Sequence, residues 1–183
     1  MTSRLSLSDS WDLLDADDND EEMPRNPDGS PKLPAKRPQA GKPGFGSIEM
    51  YKSGWKDADM RNLTVPRCFF ARSLFEQVLL TNTDLTESWL CWNNFEYCDF
   101  SEAVLTQCDM RCSYWLDCSF DDANLTGADL RGSDFVNCTF DGAIFKDALV
   151  LPRDVLLEQL SEAQKAGIVL KRRGGQPHDG CIY

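Results

Sequence analysis

Apolar residues recur at every fifth position through the middle of the chain. From Met60 to Val150 all nineteen positions of this series are apolar, and at fifteen of them the residue two places earlier is Ala, Ser or Cys. The departures from the small residue are Leu63, Val78, Thr83 and Asn93. A period of five fits neither an α-helix, with about 3.6 residues per turn, nor an ordinary alternating strand. The chain is therefore predicted to turn a corner every five residues, with the apolar and the small residue both pointing inward.

The repeat is most regular just after residue 122. It reads there as Ala123-Asn-Leu-Thr-Gly, Ala128-Asp-Leu-Arg-Gly and Ser133-Asp-Phe-Val-Asn. This pattern resembles the motif of the pentapeptide-repeat family: a small residue, Asp or Asn, Leu or Phe, and two polar residues. The resemblance implies an all-β fold, a right-handed quadrilateral β-helix of nearly five coils, with four five-residue faces in each coil.

Four faces of five residues predict that residues twenty apart stack on one another. One predicted inner column is Phe75, Phe95, Trp115 and Phe135, and the next is Leu80, Phe100, Phe120 and Phe140. Matching shapes in each column are expected where stacked neighbours pack closely. The sequence itself therefore supports a coil of twenty residues.

Five of the eight cysteines occupy the small inward position of the repeat. They are Cys68, Cys98, Cys108, Cys118 and Cys138. Buried cysteine behaves as a small apolar residue, so these are predicted to be core rather than metal or redox groups. Cys91 and Cys112 fall on outward positions and Cys181 in the C-terminal tail, and these three are predicted to be the reactive thiols.

The array divides the chain into five segments. Residues 1–45 are acidic and then Pro-rich, and are predicted to be a disordered tail that serves as a solubilising segment or as a recognition motif. Residues 46–57 are predicted to be an N-terminal cap, 58–151 the β-helix, 152–170 a C-terminal helix and cap, and 171–183 a flexible tail. The helix is expected over 154–166, before Gly167. Residues 154–170 are read either as a lid over the coil or as a homodimer contact, which is the role of a similar helix in several pentapeptide-repeat proteins that act on bacterial topoisomerases.

Charge is distributed unevenly over the predicted faces. One face carries Asp59, Asp99, Glu102, Asp121, Asp122 and Asp141 against Arg61. Its neighbour carries Glu76, Glu96, Asp117 and Asp134 with no basic residue, and the other two faces are balanced. These acidic walls resemble the flank of pentapeptide-repeat proteins that mimic duplex DNA on DNA gyrase, although this chain lacks the projecting loop of many such mimics. The acidic residues expected to contact a partner are Glu96, Asp117, Asp121, Asp122 and Asp141.

A second candidate surface lies on the opposite wall. Phe69 and Trp89 fall in one outward column and Trp92 lies beside it, with several arginines nearby. Outward aromatic residues next to arginine are typical of a protein interface. The alternative is that residues 45–51 and Trp55 fold back and cover them.

The residue inventory favours a binding protein over an enzyme. The only histidine is His178, in a Gly-rich tail, and no Cys-x-x-Cys pair occurs, so we expect no catalytic residue, no cofactor and no metal site. The net charge of −11 argues against direct nucleic-acid binding, and no apolar run is long enough to span a bilayer. The sequence predicts a cytoplasmic inhibitor or immunity factor that binds a basic protein surface, with a topoisomerase such as DNA gyrase as the first candidate. The alternative is a scaffold or adaptor, for example in a secretion or toxin-immunity system, that binds through Phe69, Trp89, Trp92 and the N-terminal tail.

Overall fold

The structure, a computed structural model, describes residues 48–171 of the 183-residue chain. The predictions for the tail of residues 1–45 lie outside the described residues. So do those for residues 172–183, including His178 and Cys181.

The described residues form short strands followed by two one-turn helices and a last strand. The strands before the helices are β1 (Glu49–Tyr51), β2 (Gly54–Lys56), β3 (Phe69–Ala71), β4 (Leu74–Glu76), β5 (Asn94–Glu96), β6 (Tyr114–Leu116), β7 (Asp134–Val136) and β8 (Leu149–Val150). The described residues end with α1 (Leu156–Gln159), α2 (Glu162–Lys165) and β9 (Val169–Leu170). All paired strands are parallel, and the strands that pair within the repeat lie twenty residues apart.

This register produces a β-helix with four faces, which confirms the predicted fold. Face D is the five-stranded sheet β2-β4-β5-β6-β7, and face C contains the pairs β1-β3 and β8-β9. Single bridges continue the stacking, for example Phe69 to Trp89 on face C. Faces A and B are held only by such bridges, as between Asp59 and Leu79 or between Thr64 and Asp84. Taking the third coil as reference, face A comprises residues 98–102, face B 103–107, face C 108–112 and face D 113–117.

The corners between faces explain how the chain turns every five residues. Every fifth residue from Lys52 to Asp147 has a positive φ, between 48° and 71°, and only three of these corner residues are glycines. The left-handed conformation costs an L-residue roughly 1–2 kcal/mol. This backbone conformation is therefore repeated because the ladder hydrogen bonds and the buried core on either side of each corner outweigh its cost.

The core consists of the two inward positions that the sequence predicts. Residues of the apolar series are buried from Phe70 to Val150, while Val65 is only half-buried near the N-terminal end. Rings stack in vertical columns, with centroids 4.6 Å apart for Phe75 and Phe95 and 4.1 Å apart for Phe95 and Trp115. A neighbouring column of phenylalanines meets the first edge-on, as where Phe100 lies 5.5 Å from Trp115. The two predicted aromatic columns are therefore confirmed.

The small inward position also satisfies backbone groups at one corner. Where face C turns into face D, the amide of Ser73 donates to Asn93 Oδ1 at 2.9 Å, and the amide of Asn93 donates to Ser113 Oγ at 3.1 Å. Asn93 Nδ2 in turn donates to the carbonyl of Phe70 at 2.7 Å. Buried backbone groups without a partner are costly, so a polar side chain is required in this column. Asn93, a departure from the small-residue pattern, is explained by this role.

The coil begins before residue 58. Strands β1 and β2 pair in register with β3 and β4, so that Met50 lies against Phe70 and Trp55 against Phe75. Residues 46–57 were expected to form a cap, but from Glu49 their strands continue the β-helix. With β9 added at the other end, the solenoid has about six turns rather than nearly five.

The C-terminal end is closed by two short helices instead of the single helix expected over 154–166. The chain becomes extended at Leu160, whose side chain is buried against the core, and Ser161 then caps α2. Gln159 Nε2 donates to the carbonyl of Phe135 at 2.8 Å, and Gln164 Nε2 donates to that of Phe140 at 2.7 Å. One straight helix would not follow successive faces in this way. The residues form a lid, and the predicted homodimer through residues 154–170 stays a prediction.

Candidate functional site

The acids in the N-terminal half of face A have partners within the face. Asp59 receives two hydrogen bonds from the Arg61 guanidinium, at 2.9 and 2.7 Å, and these lower the pKa of Asp59 to about 2. Asp99 accepts from the Ser101 amide and the Thr81 hydroxyl. Burial opposes ionisation of Asp99, but these hydrogen bonds outweigh it and the pKa is lowered. The carboxylates of Asp59 and Asp99 therefore accept hydrogen bonds from other residues of the coil.

The acidic residues in the C-terminal half of face A differ from Asp59, because they have no basic partner among residues 48–171. Glu102 and Asp122 stack at one corner, and Asp121 stacks beneath Asp141, whose amide donates to Asp121 Oδ1 at 2.9 Å. Asp117 lies at the corner where face D turns into face A, and there it accepts a hydrogen bond from the Asn137 side-chain amide at 3.1 Å. Between residues 48 and 171 none of these five carboxylates forms an ion pair. We call Glu102, Asp117, Asp121, Asp122 and Asp141 the acidic patch.

Glu96 does not join this patch. It lies on face D, is only 7% exposed, and stacks on Glu76. Burial, and then the charge of Glu76, raise the pKa of Glu96. Lys56 enters the same column and bonds Glu76 at 2.7 Å, because the coil starts earlier than expected. The sequence predicts no basic residue on face D. The presence of Lys56 on this face corrects that prediction.

The aromatic residues of face C do not form an open cluster. Phe69 is 3% exposed, and its ring lies 6.1 Å from that of Trp89, which is half-buried like Trp92. The Arg72 guanidinium lies over the Trp92 ring at 5.5 Å. Burial of Phe69 contradicts the expectation of an exposed aromatic wall, since outward direction along the strand does not by itself give solvent contact.

Two carboxylate–guanidinium pairs on face C were not identified from the sequence. Arg111 donates to both oxygens of Asp109, at 2.8 and 2.7 Å, and Arg131 does the same to Asp129. The hydrogen bonds to Asp109 are the main cause of the raised pKa of Arg111. The spacing Asp-x-Arg could have predicted both pairs. Two residues on either side of an inward residue point to the same side of the strand, so the carboxylate and the guanidinium can meet. Within these pairs the charges of the two carboxylates and the two guanidinium groups balance.

The cysteines divide into core thiols and one bonded residue. Cys68, Cys98, Cys108 and Cys118 are buried in the core, as predicted, while Cys138 is half-buried. The prediction of reactive thiols at Cys91 and Cys112 is wrong. Cys91 is 1% exposed and burial raises its pKa well above the usual value, and Cys112 is disulfide-bonded.

Two further properties limit the chemistry of the described part of the chain. Residues 48–171 contain no group of three side chains placed to hold a metal ion. No helix in this range is long and apolar enough to cross a membrane. The expectations of no cofactor and no catalytic residue stay predictions.

Comparison with known families identifies the type of repeat in this chain. The family model described as pentapeptide repeats matches in eight copies, over residues 73–111 and 118–148. The repeat of the chain over these residues is the pentapeptide repeat. The matched copies lie within the coil described above, so the family motif and the twenty-residue stacking coincide.

Several solved structures are similar at low identity, and the first two are described as pentapeptide-repeat proteins. A protein from the Arabidopsis thaliana thylakoid lumen is 21% identical, with a TM-score of 0.46, over 67% of this chain and 81% of that chain. Rfr23 from the cyanobacterium Cyanothece 51142 is 15% identical, with a TM-score of 0.39, over 53% and 80%. Full-length QnrB1, a plasmid-mediated fluoroquinolone resistance protein, is 16% identical, with a TM-score of 0.37, over 69% and 64%. Comparison with curated proteins finds no match.

Proposed function

We propose that this pentapeptide-repeat protein is a non-catalytic binding protein that occupies a basic site of another protein through the acidic patch. The observation that carries the proposal is the group of five carboxylates on face A and its corner with face D, none of which forms an ion pair with another residue between 48 and 171. The proposed mechanism is occlusion, in which carboxylates take the places of phosphates. The proposal rests on the charge of the acidic patch and not on the similarity to QnrB1 at 16% identity.

The density of charge in the patch supports a partner that normally binds DNA. Glu102 to Asp141 spans about two coil steps of roughly 4.8 Å, so five carboxylates occupy about 10 Å along the axis. This is one carboxylate per about 2 Å of axis, which compares with one charge per about 1.7 Å of helix axis for duplex DNA. A topoisomerase such as DNA gyrase is the first candidate because it presents a basic surface to duplex DNA.

Neutralising the patch tests the proposal. The test variant carries Asp117→Asn, Asp121→Asn, Asp122→Asn and Asp141→Asn. Asparagine keeps the Oδ1 acceptor for the Asp141 amide and tolerates the left-handed corners. With about 0.5–1 kcal/mol lost per exposed charge pair, we expect affinity for immobilised gyrase to fall roughly 30- to 1,000-fold. Wild-type binding should also weaken as salt rises, and wild-type protein should inhibit gyrase supercoiling.

A matched control removes the same charge elsewhere. It carries four substitutions of exposed acids outside face A: Glu87→Gln, Asp147→Asn, Glu158→Gln and Glu162→Gln. We expect the control to bind like the wild type, because net charge alone is not the cause. Equal affinity of the test variant and the wild type would contradict the acidic patch as the binding surface. Binding to a basic host protein other than a topoisomerase, recovered by pull-down and lost in the test variant, would overturn only the choice of partner.

A further inference from the structure

Three cysteines form a vertical ladder on the inner side of face A. Cys98, Cys118 and Cys138 lie twenty residues apart at the first position of this face, and none of them is disulfide-bonded. The Ser119 amide donates to the Cys98 carbonyl at 3.1 Å. The Thr139 amide donates to the Cys118 carbonyl at the same distance, so the three coils are in register here. Stacking therefore brings together thiols that no short Cys-x-x-Cys spacing in the sequence reveals.

The three thiols adopt the same side-chain conformation. Each Sγ lies within hydrogen-bond distance of the carbonyl two residues earlier and of the carbonyl of the aromatic residue 23 positions earlier. These Sγ–O distances are 3.4 and 3.4 Å for Cys98, 3.4 and 3.5 Å for Cys118, and 3.6 and 3.5 Å for Cys138. Because one conformation repeats from coil to coil, adjacent sulfur atoms are separated by one coil step, about 4.8 Å.

This separation matches the span of two thiolates bound to one metal ion. A thiolate–metal bond of about 2.3 Å, the length found with zinc, places two thiolates on opposite sides of an ion about 4.6 Å apart. Two adjacent sulfurs of the ladder would have to approach each other by only about 0.2 Å. Soft thiolates favour Cu(I), which two thiolates in line can satisfy, whereas structural zinc takes four ligands. Residues 48–171 contain no group of three metal-binding side chains, so the ladder favours the two-coordinate ion.

Cys138 gives the ladder contact with solvent. It is half-buried, whereas Cys98 and Cys118 are each 2% exposed. The hydrogen bond between the Cys118 and Cys138 thiols is the main cause of the lowered pKa of Cys138. Cys138 therefore supplies a thiolate, the form that binds metal, more readily than an ordinary cysteine. The charge of Asp117 also acts on the Cys138 thiol and favours the approach of a cation.

We propose that Cys118 and Cys138 form a two-coordinate site for a soft monovalent metal ion such as Cu(I), which lies between the two coils. Binding of each ion displaces the two thiol protons, so the affinity rises with pH. Cys98 is not a ligand, because an ion midway between the other two sulfurs lies about 7 Å from its sulfur. The inference does not depend on the proposed function, since neither thiol belongs to the acidic patch.

Competition with a chelator tests the site in the full chain. The probe is Cu(I) held by bicinchoninic acid, under nitrogen with ascorbate, and the absorbance of the chelate reports how much copper the protein takes. We expect the wild type to take one Cu(I) per chain and to bind it more tightly as the pH rises. Cys118→Ser and Cys138→Ser should each lose at least about 100-fold in affinity, because one of the two ligands is removed.

Two matched controls each remove a thiol and keep the proposed pair. Cys98→Ser removes the third thiol of the ladder. Cys108→Ser removes an inward thiol of another face, where the stacked neighbour is Ser88 and not a cysteine. Both controls should bind Cu(I) like the wild type. Serine occupies the same inward position at Ser113 and Ser133, so all four variants are expected to fold, which far-UV circular dichroism checks.

X-ray absorption spectroscopy of the copper-loaded wild type identifies the ligands. We expect two sulfur ligands and no nitrogen ligand. A third sulfur or a nitrogen ligand would overturn the two-coordinate site. Failure of the wild type to take Cu(I) from the chelate would overturn the proposal, as would wild-type affinity in Cys118→Ser or Cys138→Ser. An equal loss of affinity in Cys98→Ser or Cys108→Ser would also overturn the assignment to this pair.

Discussion

Trp115 offers a sharp test of how the core of the coil is stabilised. It is fully buried, its ring stacks 4.1 Å from Phe95 and 5.8 Å from Phe135, and its Nε1 is buried without a hydrogen-bond partner. Its two neighbours in the column, Phe95 and Phe135, are phenylalanines. Replacing Trp115 by phenylalanine therefore keeps an aromatic ring in the stack and removes the unpartnered N–H group.

The two effects of Trp115→Phe oppose each other. Phenylalanine is smaller by roughly 40 Å³, and a cavity of that size costs about 1 kcal/mol at about 24 cal/mol per Å³. Removing a buried donor that has no hydrogen-bond partner raises the free energy of unfolding by about 1–3 kcal/mol. We expect the free energy of unfolding to stay within about 1 kcal/mol of the wild type, or to rise. Trp115→Ala, by contrast, should lose about 3–5 kcal/mol.

Urea denaturation followed by far-UV circular dichroism measures both variants. The slope of unfolding free energy against urea should be unchanged, which shows that the same surface is exposed on unfolding. A loss above about 2 kcal/mol in Trp115→Phe, in a variant with an unchanged slope, would refute the reasoning, because the N–H group would then have to contribute favourably.

Two further predictions concern a corner and a buried acid. Gly142→Ala and Gly127→Ala both place a side chain at positive φ, and each should lose about 1 kcal/mol of stability. Gly142→Ala should lose more, because its Cβ would overlap the Asp122 carboxylate and force that side chain to move. Equal losses of unfolding free energy in the two variants, measured by urea denaturation, would contradict the expected clash with Asp122. The pKa of Glu96 is raised in the folded state, so the native protein binds this proton more tightly and stability falls as pH rises above the ordinary glutamate value of 4.5. Glu96→Gln should therefore gain stability relative to the wild type between pH 4 and 7, and a constant difference over this range would contradict the assignment.

Much of the coil could be predicted because the repeat is local. Each group of five residues determines which side chains point inward, and a period of twenty follows once four such groups close a turn. Stacking of Phe75 on Phe95 and of Phe95 on Trp115 was therefore visible in the spacing alone. The ends were less predictable, since residues 49–56 pair with the coil although the regular motif starts later.

The acidic patch was predicted only in part. Asp117, Asp121, Asp122 and Asp141 lie on face A or its corner as the register requires, because the corner positions repeat without interruption. Glu96 falls on an outward position as well, yet it is 7% exposed. Its exposure depends on the neighbours stacked twenty residues away and on how closely their side chains approach, which the period does not specify.

The sequence by itself determined the coil, its four faces and the column to which each side chain belongs, because these follow from backbone geometry repeated every five residues. Only the tertiary structure decided which outward side chains meet solvent. Phe69 and Cys91 point outward by register but are buried, and Cys112 is bonded rather than free. The physical reason is that the exposure of an outward side chain depends on the side chains that stack on it from neighbouring coils, as Trp89 does on Phe69, and the five-residue pattern does not specify how closely they approach.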